Sequence, residues 1–279
     1  MAVSTTSYFS NATVGVPQVA GDFNVFDSSS SPKLVIGTKF ERQDGAVFRY
    51  SHFGLAISSA GLVLATSNTS NMVVTNSCVV ASSSTYQMPE EQNGTYPNMK
   101  GSRYIVLTKA SITADDFQGC YAVICSAGNL HNCGFTYRVK GNTATGDPTS
   151  GNLRLQLYEK LQAGLSSSTS IVIAGNPHSN LYPASYGTSG VLAGVSMTSH
   201  DANDYGWVQS KGVVGCLHDV AGAVVAKGDM VSISTATNGS VSKASILSAG
   251  LAYIIPLVGY ACEAAAVSGN WVPVKLIMD

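Results

Sequence analysis

Charge is what this sequence has least of. Charged side chains make up 11 % of its 279 residues, against about 25 % in soluble domains at large. Its 15 Lys and Arg stand against 16 Asp and Glu, for a formal net charge of −1. No basic excess is available to neutralise phosphates, which argues against a nucleic-acid partner. The few cations are scattered, so long-range electrostatic steering is not expected either. Sustained helical periodicity is also missing, which argues against a bundle or a coiled coil. One uncharged stretch, between Lys243 and Glu263, is near the length of a spanning helix. Gly250, Pro256 and Gly259 interrupt it, so it reads as two buried strands and a turn, and no membrane partner is expected. Residues 1 to 30 hold neither a basic start nor an apolar core, so no signal peptide is expected. The 6 cysteines (Cys78, Cys120, Cys125, Cys133, Cys216 and Cys262) are few for a disulfide framework in a chain this long. Cys78 and Cys262 lie beside Val or Ala in strand-like runs, where a thiol behaves as a small buried hydrophobe. Free thiols and assembly in a reducing cytoplasm are expected.

What is present is a succession of short strands. Residues 271 to 278 alternate: Val272, Val274, Leu276 and Met278 fall on one face, Trp271, Pro273 and Lys275 on the other. Pro273 has no N–H for a ladder, which predicts an edge strand or a bulge. Asn238-Gly239, between residues 230 to 234 and 240 to 244, predicts a hairpin. Asn152 to Tyr158 alternates with Leu153, Leu155 and Leu157 inward. Two pieces suggest single helical turns: Glu159 to Leu165, and Thr113 to Phe117, where Thr113 and Asp116 form a loose capping box. Short strands at turn-punctuated spacing predict an all-β fold of antiparallel sandwich or barrel modules, with an extended N-terminal arm.

The expected organisation is an arm at residues 1–32, a first β-rich module at 33–110, a central β module at 111–205 and a C-terminal barrel-like module at 206–279. The arm is rich in Ser, Thr, Asn and Gly and cannot build a core alone. Its isolated apolar residues Tyr8, Phe9, Val14, Val16, Phe23 and Phe26 fit either a flexible tail or a segment that orders on a neighbouring subunit or shell. A surface covered by Ser, Thr, Asn and Gly in place of charge suits packing against many copies of a partner.

Candidate chemistry is sparse. Cys120, Cys125, His131 and Cys133 hold thiols and an imidazole, but no Cys-x-x-Cys knuckle, so no metal is expected. His200-Asp201 and His218-Asp219 read as loop residues closing strands. No Gly-x-Ser-x-Gly elbow and no phosphate-cradling loop occurs, so neither an enzyme nor a cofactor is expected. Tyr205 and Trp207, next to Asp201, Asn203 and Asp204, fit a carbohydrate platform or a protein contact. The opposing reading packs Trp207 inward at the head of a strand.

One resemblance is carried by residues already named. The runs Lys227-Gly228-Asp229-Met230-Val231, Asn238-Gly239, Pro256-Leu257-Val258-Gly259-Tyr260 and Gly269-Asn270-Trp271-Val272-Pro273-Val274 resemble the end of capsid decoration (cement) proteins of tailed double-stranded DNA phages, of the cyanophage or marine-phage kind. Ile36-Gly37-Thr38 and Asp44 to Tyr50 are similar to that family's opening strand. The resemblance implies a structural virion protein on the outer surface of an icosahedral capsid. It also implies two partners, the major capsid protein and further copies of the chain itself, most often as a trimer. The competing expectation is a glycan- or host-surface-binding β-sandwich of a fibre or adhesin.

Overall fold

The computed structural model describes residues 24–66, 73–80, 98–108, 112–126, 133–146, 152–166, 169–185, 190–219, 224–244, 256–265, 267 and 269–278, with 73–80 as backbone. The fold is all-β with antiparallel sheets, and no helix occurs among the described residues. Both suggested helical turns are non-helical. At the first, one of the two capping contacts forms, Thr113 N–H donating to Asp116 Oδ2 at 2.8 Å. Asp115, however, takes φ 62°, a left-handed conformation that a right-handed helix cannot contain.

The chain divides into two compact units, residues 1–67 with 177–279, and 68–176. This differs from the serial order of three modules read from the sequence, whose boundary after 205 falls at the first residue of a long strand. The division comes from pairing between strands far apart in the chain, for which local patterning carries no signal.

The 68–176 unit is a closed six-stranded barrel. Its strands are β4 (Val73–Val80), β5 (Tyr104–Thr108), β6 (Tyr121–Ser126), β7 (Thr136–Asn142), β8 (Asn152–Leu157) and β9 (Ser170–Ala174). They close in the order β4-β5-β8-β7-β6-β9. Leu153, Leu155 and Leu157 of β8 point inward as their alternation predicts, and meet Ile105, Leu107, Ile171 and Ile173 in the core. Asn142 ties the 113–120 turn to this barrel. Its Oδ1 accepts from Phe117 N–H at 2.7 Å, and its Nδ2 donates to Thr113 O at 2.8 Å and Thr143 O at 2.9 Å. Asn142→Ala leaves a buried N–H without an acceptor and is expected to cost this unit about 2–3 kcal/mol. Pulsed alkylation of the buried Cys120 in increasing urea reads that loss.

The other unit is built on one ten-stranded sheet. It contains β1 (Lys39–Glu41), β2 (Val47–His52), β3 (Val63–Thr66), β10 (Leu181–Pro183), β11 (Leu192–Ser196), β12 (Tyr205–Leu217), β13 (Met230–Ile233), β14 (Val241–Lys243), β15 (Leu257–Ala261) and β16 (Trp271–Ile277). The 13-residue β12 is its spine. Residues 205 to 211 pair with β2 along one edge; along the other, 208 and 209 pair with β11 and 211 to 217 with β16. The change from β11 to β16 coincides with a bulge between Gln209 and Lys211 in the β2 ladder. There the buried Gln209 amide donates to Lys211 O at 2.9 Å and Val213 O at 3.2 Å, replacing ladder bonds that the bulge interrupts. Gly212 continues the bend at φ 96°.

The strands β13 and β14 form the hairpin that Asn238-Gly239 predicts, with Gly239 at φ 80°. The turn is longer than two residues, because the ladder ends at Ser234 N–H to Ser240 O, 2.9 Å. Pro273 departs from expectation. Its strand β16 is central, paired with both β12 and β15. The Pro273 carbonyl accepts from Cys262 N–H at 2.8 Å, just past the end of β15. In an antiparallel ladder a residue's N and O point to the same neighbour, so the missing N–H falls where that ladder stops. Val272, Val274 and Leu276 are buried in the core with Val258, Val231 and Cys216.

Candidate functional site

The sequence placed interface candidates in two regions. Tyr8, Phe9, Val14, Val16 and Phe23 lie outside the described residues. Phe26 is exposed, at 56 %. The expected arm does not extend to residue 32 as a free segment, because residues 24 to 33 dock on their own unit. Val25 is buried with Phe48, Tyr50 and Trp207. Ser29 and Tyr205 exchange both backbone hydrogen bonds, at 3.0 and 2.7 Å. Lys33 N–H donates to the Tyr50 hydroxyl at 3.0 Å. The reason is local: Val25 fills an aromatic pocket while the polar residues after it satisfy their backbone on the end of β12.

Trp207 is 4 % exposed and belongs to the core. Its ring meets Tyr50 edge-on at 5.3 Å and Phe40 at 6.3 Å. It is removed as an interface residue, since β12 is covered on both faces along this half. Tyr205 is half-buried, stacked on Tyr50 at 6.3 Å and tilted against His52 at 4.8 Å. The pair therefore forms no exposed platform.

The polar residues beside Tyr205 assemble into something that sequence spacing does not reveal. Ser28, from the docked segment, meets His200 and Asp204 from the loop before β12. Its hydroxyl donates to Asp204 Oδ2 at 2.7 Å and lies 3.0 Å from His200 Nδ1. Since the hydroxyl hydrogen goes to the carboxylate, Nδ1 carries the proton that Ser28 Oγ accepts. His200 is thus the neutral Nδ1–H tautomer. Its ring stacks on Phe53 at 3.8 Å and 14°, and its Nε2 is buried with no hydrogen-bond partner among the described residues. The bare backbone at Gly206 makes room for this ring: a Cβ there would stand 2.3 Å from His200 Cε1. Burial pulls the His200 pKa from 6.5 down to about 4, against an opposing pull from the Asp204 charge. A second proton on the ring would sit on Nε2 without an acceptor, which is the structural side of the same penalty.

Ser, His and Asp are the residue types of a hydrolytic triad, but the connectivity is different. In a triad the imidazole stands between acid and hydroxyl; here the hydroxyl stands between imidazole and acid. The arrangement clasps the 24–31 segment to the loop. Beside it opens a shallow cleft of about 380 Å³, walled by Ser28, Ser58, Ser199, Asp201 and Asp204. Among the described residues no lysine or arginine lines it.

The remaining chemistry-bearing residues do not converge. Among the described residues no three His, Cys, Asp or Glu side chains are placed to hold a metal ion, and His131 lies outside them. Cys120, Cys125, Cys133, Cys216 and Cys262 are free thiols. Burial pushes the Cys216 thiol up to about 12 and raises Cys120 as well, so neither forms a reactive thiolate near neutral pH. Cys125 is exposed. A disulfide reagent is therefore expected to label Cys125 in the native protein, and Cys120 and Cys216 only after unfolding; peptide mapping of the labelled sites checks this.

Comparison of the chain with protein-family models, with curated proteins and with solved structures finds no match. Among the described residues no helix is long and apolar enough to cross a membrane.

Proposed function

We propose that this chain is a structural virion protein that binds the outer surface of an icosahedral phage capsid and cements neighbouring capsomers. In this reading its partners are the major capsid protein and further copies of itself, as a trimer at threefold positions. The observation that carries the reading is the position of the residues bearing the resemblance. Lys227 to Val231, Asn238-Gly239, Pro256 to Tyr260 and Gly269 to Val274 fall on β13, the turn to β14, β15 and β16. These are neighbours in one sheet, and Val47 to Tyr50 of the similar opening strand lie on β2 of the same sheet, so the similarity falls within one sheet. The shortage of charge supports the same reading. A surface of Ser, Thr, Asn and Gly loses little side-chain entropy when covered. A cement protein acts as many copies at once, so modest affinity per copy suffices.

A glycan- or host-surface module rested on an exposed Tyr205 and Trp207. With Trp207 buried, no observation favours it. Mass spectrometry of purified particles of the encoding phage tests the proposal: the chain is expected in stoichiometric amount on intact capsids, and its absence from them overturns it.

A further inference from the structure

We infer that the outward face of β12, β16 and β15 is the surface by which this chain lies on its shell, and that its complement there is an apolar protein surface bordered by carboxylates. The inference rests on the capsid reading above and names the contact within it.

The register defines the face. Val213 stands opposite Lys275, which stands opposite Tyr260; Lys211 is opposite Ile277, and Gly215 opposite Pro273. Directly opposed residues of an antiparallel pair share a face, and Trp271, Pro273, Lys275 and Ile277 share one by alternation. The large apolar members are exposed: Val213 at 56 %, Trp271 at 55 %, Ile277 at 46 % and Tyr260 at 44 %. The opposite face of the same strands is the core.

The chain supplies its own comparison. An antiparallel sheet with one face in water puts polar residues outward, and two strands of the 68–176 barrel do so. Their outward positions are Asn152, Arg154 and Gln156 on β8, and Thr136, Arg138 and Lys140 on β7. A sequence rich in Ser and Thr that nevertheless sets Val, Trp, Pro, Ile and Tyr outward on β12, β15 and β16 has a surface meant to be covered.

Trp271 is held ready for that. Its indole N–H donates to Ala60 O at 3.2 Å. The ring lies over two glycines: a Cβ at Gly61 would fall 2.4 Å from Nε1, and one at Gly215 would lie 3.6 Å from Cδ1. An aromatic side chain pinned by a hydrogen bond loses little freedom on binding, as an anchor residue should.

Charge and area select the occupant. The face carries Lys211 and Lys275, and none of its named positions is acidic. A copy meeting it across a twofold axis would set lysine near lysine, which disfavours that pairing. Three strands at about 4.8 Å and seven residues at about 3.4 Å give a face of roughly 340 Å². A stable pairwise interface needs about 800 Å² from each partner. The face is too small to hold a lone dimer together, but adequate when a repeating shell engages many copies.

The test uses particles of the encoding phage assembled without this chain, to which the purified full chain is added back. Val213→Asp and Lys275→Glu are surface changes, with Lys140→Glu on the barrel exterior as the control for charge. Wild type and Lys140→Glu are expected to bind alike, and each face variant at least tenfold more weakly, with unchanged circular dichroism. If both face variants bind within twofold of wild type, the inference fails while the capsid reading stands. If wild type itself does not bind, the capsid reading fails and this inference with it. If Val213→Asp instead converts a solution oligomer into monomer, the face is covered by a second copy and its assignment to the shell is overturned.

Discussion

Replacing Gly259 by alanine is expected to cost the sheet-bearing unit more than about 3 kcal/mol, above the usual range for overpacking. Gly259 lies in β15, opposite Val231 of β13 and Leu276 of β16. A Cβ there would stand 2.1 Å from the Lys275 carbonyl oxygen and 2.9 Å from its carbon. Those are backbone atoms of a strand paired on both sides, so no rotamer change relieves the clash. Gly45→Ala isolates the alternative cause. Gly45 has φ 80°, and the methyl group of an alanine there would meet nothing within 4 Å, so this change bears backbone strain alone, about 1 kcal/mol. Both tryptophans of the chain, Trp207 and Trp271, lie in this unit, so urea unfolding followed by their fluorescence reads it selectively. Equal losses at Gly259 and Gly45 would contradict the steric argument.

Acid is expected to weaken the same unit by about 3 kcal/mol between pH 6.5 and pH 4. His200 titrates near 6.5 when unfolded and at about 4 when folded. In that window the unfolded chain binds a proton that the folded chain refuses, so stability falls as pH falls. Above the window the contribution is complete; below it no further loss arises from this group. The magnitude is the separation of the two values at about 1.4 kcal/mol per unit. The side chain is buried, so solvent screening removes little of it. Burial lowers the His52 pKa too, which adds a smaller slope of the same sign. His200→Asn keeps an N–H for Ser28 and removes the titration. Its urea midpoint is expected to change far less between pH 7 and pH 4.5 than that of the wild type. Parallel pH profiles for the two proteins would remove His200 as the cause.

Strands flanked by their own turns were legible in the sequence. Alternation in residues 152–157 and 271–277 gives the buried and exposed sides correctly, including the outward position of Trp271. Trp207 was ambiguous because alternation fails where both faces of a strand are covered: Gly206, Trp207 and Val208 are all buried. The contact of Ser28 with His200 and Asp204 was not legible at all, since 172 and 176 residues separate the partners and no local pattern encodes such a meeting. The same holds for β12, whose two edges are paired by β2 and β16 arriving from opposite ends of the chain. At Thr113 and Asp116 the local signal was right and its consequence wrong, because a single left-handed residue between them redirected the backbone.

The path into and out of the barrel has a consequence for how such chains diversify. The chain leaves the sheet after β3 and returns through β10, and these two strands are hydrogen-bonded neighbours, with Thr66 opposite Leu181. Departure and return are thus separated by one inter-strand step, about 5 Å. Residues 68–176 are a graft between adjacent stems of the host sheet. A different insert, longer, shorter or a plain turn, can be spliced at that point with every strand of the host keeping its neighbours.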